Sequence, residues 1–270
     1  MLPLICLDVD GTLVGSSGAP SERLWSSAEQ ARARGQRLTM CTARLAAGQT
    51  RDWAQRLDPD GWHIFHTGAA RWNPASNEVR TVALPADALE YCVEIGQQNG
   101  WVVETYSWDD YAVESTDQLA VDHAGLLGLV FEPRPLSELE DEIVRVQFVV
   151  HESDSDAAMA AAPHGTTASG ATSPLMPGAV FVSITHDSVS KAAGVRAVAE
   201  DLGVDMAEVM MVGDGHNDLP AVQAVGWGVA MGNAEPELKA AAQLMVADVD
   251  DDGAAQAIDA SASLGGEVPK

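Results

Sequence analysis

The stretch Leu4-Ile5-Cys6-Leu7-Asp8-Val9-Asp10-Gly11-Thr12-Leu13 decides the fold. An apolar run from Pro3 to Leu7 stops on two carboxylates one residue apart, and a glycine follows. That pattern reads as a buried strand feeding a loop. At a strand end, residues i and i+2 point to the same side, so Asp8 and Asp10 are held together at one edge of a sheet. Open α/β sheets take their ligands at the carboxyl ends of the strands. Gly11 lets the backbone turn sharply and expose its N–H groups, and the Thr12 hydroxyl can anchor the turn. Two like charges this close call for a cation or a shared proton.

Working outward, Ser21 to Arg34 reads as a helix, with Ser21 as N-cap, Glu22 in the first turn and Gly35 past the end. Arg37 to Cys41 reads as a second strand. Leu45 to Leu57 reads as a second helix, stopped by Asp58-Pro59-Asp60-Gly61, and Trp62 to His66 as a third strand. Strands alternating with helices imply crossovers and a parallel sheet. Between Leu84 and Thr185 the rhythm changes. A helix (Pro85 to Gln98), two strands joined by a turn (Trp101 to Tyr106, Tyr111 to Glu114), a strand of β-branched residues (Ile143 to Val150), a short helix (Ala157 to Ala162) and another strand (Ala179 to Thr185) are expected. His164 to Gly178, rich in Gly, Ser, Thr and Pro, is expected to be loop. Alternation then resumes: helices at Ser190 to Leu202, Asp218 to Ala224 and Pro236 to Ala242, and strands at Glu208 to Val212, Trp227 to Ala230 and Leu244 to Ala247. The tail is expected to hold a short helical stretch and a frayed polar end. The fold class is therefore α/β, a Rossmann-like parallel-sheet core over residues 1–83 and 186–270 with an α/β domain inserted over residues 84–185.

Bulk properties narrow the function. The chain has 270 residues, 46% of them hydrophobic, and a formal net charge of −25. Such a surface repels nucleic acid and anionic membranes at long range, so neither is an expected partner. It also repels phosphorylated substrates, so a phosphate site needs a local positive centre. No apolar run approaches the roughly 18 residues that span a bilayer. The apolar N-terminus has no basic lead and is read as a strand rather than a signal peptide, which points to the cytoplasm. Three cysteines without paired spacing (Cys6, Cys41, Cys92) argue against a disulfide framework and against zinc. A monomer or homodimer is expected.

A second acidic cluster, Gly213-Asp214-Gly215-His216-Asn217-Asp218, also ends an apolar run and opens a helix. Carboxylates from two strand ends make an oxygen-rich pocket that suits Mg²⁺ better than zinc. Such an ion would offset the negative field and clamp a phosphate. Thr42-Ala43-Arg44, after the second strand, supplies a hydroxyl and helix N-terminal N–H groups to an anion. Lys191, at another helix start, can bridge a nucleophile and phosphoryl oxygens as a point charge.

As a set these residues resemble the haloacid dehalogenase-like hydrolase superfamily, and in particular its Cof-type branch, subfamily IIB. Asp8-Val9-Asp10-Gly11-Thr12-Leu13 is similar to the first motif, Thr42 to the second, Lys191 to the third and Gly213 to Asp218 to the fourth. Ser188-Val189-Ser190-Lys191 and Met231-Gly232-Asn233-Ala234 are also similar to that branch, which usually has Gly where Ala43 stands and Asn where Thr67 stands. The resemblance implies a Mg²⁺-dependent phosphatase acting on a small phosphorylated metabolite, a sugar phosphate or a relative. It implies Asp8 as nucleophile, Asp10 as acid/base, Thr42 and Lys191 as catalytic partners, and Asp8, the backbone carbonyl of Asp10, and Asp214 as metal ligands. Asp218 would orient a metal-bound water or a lysine, and Gly11, Ala43, Arg44 and Asn217 are the expected substrate contacts. Two other readings stay open: a phosphomutase or phosphotransferase using the same aspartyl-phosphate, and a non-hydrolytic phospho-binding regulator. Trp101, Tyr106, Trp108 and Tyr111 are either a stacking surface or a small core of the inserted domain. His216 and His66 are either site residues or ordinary loop and strand-end histidines.

Overall fold

The computed structural model describes residues 1–265; the expected frayed polar end lies partly outside them. The chain divides into two compact units. The first comprises Met1–Arg44, Arg51–Arg80 and Ser190 onward, and the second Leu45–Thr50 and Thr81–Val189.

In chain order the first unit begins with β1 (Leu4–Leu7), α1 (Glu22–Ala33) and β2 (Arg37–Met40), and α2 (Gly48–Leu57) follows across the unit boundary. β3 (His63–Phe65), β4 (Ala70–Asn73) and β5 (Glu78–Thr81) come next. The second unit contributes α3 (Ala86–Asn99), β6 (Val102–Tyr106), β7 (Tyr111–Val113), α4 (Gln118–Leu126), β8 (Arg145–His151), α5 (Ser155–Ala160), β9 (Thr166–Ala171) and β10 (Ala179–His186). The chain then returns to the first unit for α6 (Lys191–Leu202), β11 (Val209–Gly213), α7 (Leu219–Ala224), β12 (Trp227–Ala230), α8 (Pro236–Ala241), β13 (Leu244–Met245) and α9 (Gly253–Ala260).

Among the described residues, the first unit's main sheet runs β13-β12-β11-β1-β2 with every pair parallel. Leu4 to Leu7 are fully buried, as are their neighbours in β11, Val209 to Val212. Continuous apolar strands of this kind are what a parallel sheet covered on both faces requires. α1 starts as read: the Ser21 hydroxyl accepts from the Leu24 N–H at 3.1 Å and satisfies a donor that the helix cannot.

The second unit is a mainly antiparallel sheet, β7-β6-β8-β10-β9. Alternate residues of β6 face two different cores. Val102 and Tyr106 pack with α4 residues Ala120 and Ala124, while Val103 packs with α3 residues Ala88 and Cys92. Leu45, read from sequence as the start of a helix in the first domain, is buried in the Tyr106 core of the second unit, and α2 begins only at Gly48. Tyr106, Trp108 and Tyr111 are core residues here, and Trp101 packs on Phe148 with ring centroids 5.2 Å apart.

Three segments differ from expectation. Thr166–Ala171, expected as loop, is an edge strand fully paired to β10 from Phe181 to His186. Its small, polar residues carry no periodic apolar signal, because the partner strand supplies the hydrogen bonds and most of the packing. The hairpin β4–β5 and helix α4 were not read from the sequence. Among the described residues, no helix is long and apolar enough to cross a membrane.

Candidate active site

The register of the main sheet brings the motifs together. Leu7 lies level with Met40 on one side and with Val212 on the other. The chain therefore leaves β1, β2 and β11 at the same sheet edge. The Asp8 N–H extends the ladder to Val212 O (3.0 Å) and the Cys41 N–H to Leu7 O (2.8 Å). β12 ends one strand further along, and the Met231 N–H donates to Gly213 O at 3.1 Å.

Asp8, Lys191 and Asp218 form a buried ion triad. Lys191 Nζ donates to Asp8 Oδ1 at 2.6 Å and to Asp218 Oδ1 at 2.6 Å. The lysine is 1% exposed, Asp8 5% and Asp218 0%, so each charge depends on the others for solvation. Asp218 Oδ2 accepts from the N–H groups of Asp214 (3.1 Å) and Gly215 (3.2 Å), which folds the fourth motif back over its own side chain. Both of its oxygens are thus engaged in holding other groups. Lys191 opens α6, whose N-cap Ser190 accepts from the Ala193 N–H at 3.0 Å.

Asp214 completes the cluster. One oxygen each from Asp8, Asp214 and Asp218 lie within 4.8 Å of one another. Asp214 Oδ1 accepts from the Thr12 hydroxyl at 3.1 Å, and Asn233 Nδ2 reaches both Gly11 O (2.8 Å) and Asp214 Oδ2 (3.4 Å). Gly11 has φ +78°, and a Cβ there would come within 2.2 Å of Asp214 Oδ2, so both the turn and the approach of the carboxylate require glycine.

The electrostatics follow from burial. Desolvation pushes Asp8 up to about 8, with Lys191 pulling it back and Asp218 raising it further. For Lys191, burial works against the charge, but Asp8 and then Asp218 outweigh it and hold the ammonium well above its ordinary range. Burial and the Asp218 charge raise Asp214 to about 6, against the Thr12 hydrogen bond. Three carboxylates face one ammonium. The surplus negative charge and the all-oxygen donor set fit a hard divalent cation, which Asp8 and Asp214 would hold.

The other expected residues lie around this cluster. Asp10 is exposed and turns to Arg44 in a two-pronged ion pair, Nε to Oδ2 at 3.0 Å and Nη2 to Oδ1 at 2.5 Å. Thr42 is buried, and its hydroxyl accepts from the Arg44 N–H at 3.1 Å. Ala43 is half-buried beside it. Asn217 is exposed in the short turn His216–Asp218. His216 is exposed near Glu237, whereas His66 is fully buried. His66 and Thr67 both adopt positive φ, +49° and +59°. The left-handed region suits asparagine far better than a β-branched threonine, so Thr67 is strained here. The Thr67 N–H donates to Thr42 O at 2.9 Å, so this strained turn braces the second motif.

Asn233 was not among the expected site residues. The signal was present, since it follows the apolar run of β12 as the other motifs follow theirs. Its anchoring role shows only in the fold: Asn233 Oδ1 also accepts from the Val249 N–H at 3.0 Å, tying two loops to the Gly11 turn.

The model of the haloacid dehalogenase-like hydrolase family matches residues 5–258. The chain belongs to this family. The resemblance read from its motifs, to Cof-type phosphatases, holds. The Bacillus subtilis (strain 168) protein YxeH, which carries a phosphatase name, is 27% identical over 265 residues, covering 96% of this chain and 97% of that one. Among solved structures, the phosphatase BT1666 from Bacteroides thetaiotaomicron superposes with a TM-score of 0.82 at 24% identity, covering 98% of this chain and 96% of that one. The subclass IIB sugar phosphatase BT4131 does so with a TM-score of 0.78 at 21% identity, over 97% and 99% of the two chains. These two likenesses establish the α/β fold of the family.

Proposed function

We propose that this haloacid dehalogenase-like phosphatase is a Mg²⁺-dependent phosphohydrolase that cleaves a phosphate monoester of a small metabolite, a sugar phosphate, through an aspartyl-phosphate on Asp8. The observation that carries the reading is the Asp8–Lys191–Asp218 triad with Asp214 beside it. A carboxylate held in one orientation by a buried ammonium, within reach of a cation site, is placed to attack phosphorus in line. Phosphoryl transfer depends mainly on positioning and charge stabilisation, and the triad provides both.

In this reading Asp8 Oδ attacks the phosphorus and the ester oxygen departs. Asp10 gives that oxygen its proton, then takes one from the water that hydrolyses the acyl phosphate. Lys191 and the Thr42 hydroxyl stabilise the phosphoryl oxygens, and Asp218 fixes the lysine. Gly11, Ala43, Arg44 and Asn217 contact the substrate. Asp8, Asp214 and the backbone carbonyl of Asp10 would hold Mg²⁺, whose chemistry is to neutralise charge on the phosphoryl oxygens. The second unit selects the leaving group. The sugar-phosphate class is supported by the sugar phosphatase among the fold neighbours.

The test is phosphate release from a panel of sugar phosphates, nucleotides and phosphorylated cofactors, with and without Mg²⁺. Turnover without an acceptor, lost in Asp8→Asn, is expected. Release only when an acceptor hydroxyl is supplied would favour a phosphotransferase.

A further inference from the structure

We propose that a groove within the second unit, between α3 and the turn at Leu136–Glu138, binds a small amphipathic cation: a primary amine on an apolar body. The groove encloses about 430 Å³, within the range of small-molecule sites. Thr105 of β6 lies at its floor, and α3 residues Leu89 and Val93 form one wall. α3 packs closely on β6, where a Cβ on Gly96 would come within 2.3 Å of Val103.

Two independent features specify the ligand. The first is Thr105. It is 2% exposed and lines the groove, yet its hydroxyl has no hydrogen-bond partner among the described residues. A buried hydroxyl left without a partner is costly, and a ligand N–H would remove that cost. The second is charge. Glu90, Glu94 and Glu114 line the same groove with no lysine or arginine among its lining residues. Glu90 and Glu94 stand four apart on α3, where like charges repel. A cation at this rim relieves that repulsion. The walls between, Leu89, Val93, Leu136 and Ile143, are apolar and suit a hydrocarbon body. A second copy of this chain, with its net charge of −25, is a poor match for the acidic rim.

The experiment titrates the full-length protein with phenethylamine, phenethyl alcohol and phenylacetate, read by backbone-amide NMR shifts. The amine is expected to saturate with shifts centred on Val93, Thr105 and Leu136. The alcohol should bind about tenfold more weakly, as loss of a charge-assisted hydrogen bond implies, and phenylacetate not measurably. Leu136→Lys, which puts a cation into the groove, should abolish the amine's effect. The exposed Glu94→Gln, which cannot disturb a core, should weaken it severalfold, and Thr105→Val should do the same. Shifts confined to the Asp8 and Asp214 region, equal affinity for amine and alcohol, or unchanged binding in Glu94→Gln would overturn the proposal. So would a homodimer in sedimentation that Leu136→Lys dissociates, since the occupant would then be a second copy.

Discussion

Arg44 holds Asp10 with two parallel hydrogen bonds, at 3.0 and 2.5 Å, on an open surface where the arginine side chain is 35% and the aspartate 61% exposed. An ion pair this wet contributes little to folding, under about 1 kcal/mol. It can therefore be exchanged during a reaction. In the proposed cycle Asp10 leaves Arg44 to meet the ester oxygen, and Arg44 is released toward the anionic substrate. Arg44→Ala should leave the melting temperature nearly unchanged while raising KM severalfold, more than it lowers kcat. Thermal melts and steady-state kinetics on one preparation check this; a large drop in stability with unchanged KM would contradict it.

Gly11 sets how closely the first and fourth motifs approach. Gly11→Ala should be tolerated poorly for two separate reasons: the positive φ of +78° and the 2.2 Å clash with Asp214. The backbone strain alone is worth about 1–3 kcal/mol. Denaturant melts should show a loss of at least that size, together with loss of any thermal stabilisation by Mg²⁺. Gly35→Ala, at φ +88° but with open space around it, separates strain from clash.

His63 links pH to stability in the core of the first unit. Its Nδ1 accepts from the Met40 N–H at 3.1 Å, and Nε2 donates to Asp58 O at 2.9 Å, so the neutral ring joins β2 to the Asp58 turn. Burial lowers its pKa to about 4, against the pull of Asp58. As pH falls below about 6.5 the unfolded chain takes up a proton that the folded ring refuses until about 4. Stability is therefore lost across that window, by on the order of 3 kcal/mol in full. Asp8 and Asp214, with raised values, act in the opposite direction, so the contrast with His63→Gln isolates the histidine. Urea melts from neutral to acid pH should show the wild type losing more stability than the variant.

Much of the site was legible because its residues stand at chain positions with local signatures. Asp8, Asp10, Thr42 and Asp214 each follow an apolar strand, and parallel strands aligned in register must deliver their ends to one edge. The partnerships are legible only in part. The resemblance implies Lys191 beside the nucleophile and Asp218 orienting a lysine, but nothing in the spacing says that Arg44 takes Asp10, because that is a choice among side chains already gathered. In the fold, β9 escaped because Thr166–Ala171 has no apolar period and owes its extended form to β10. Leu45 was assigned to the wrong unit because an apolar residue beside a helix start does not announce which core it enters.

The raised pKa of Asp214, about 6, bears on the cation. A proton and a metal ion compete for this carboxylate, and likewise for Asp8, raised to about 8, so Mg²⁺ binding should release protons up to about that pH and not above it. Stabilisation of the protein by Mg²⁺ should grow as pH rises from about 5 to 8 and then level off. Asp214→Asn should remove it at every pH. Thermal shift with Mg²⁺ across that range checks both; a pH-independent shift would contradict the assignment.

The central claim is that phosphorus becomes bonded to Asp8. Acid quench of the enzyme during turnover, followed by peptide mass spectrometry, reads this directly. A phosphoryl group on the peptide bearing Asp8, absent in Asp8→Asn and accumulating in Asp10→Asn, is the predicted result. Turnover with no phosphorylated peptide in either the wild type or Asp10→Asn, or with phosphate on any other residue, would contradict it.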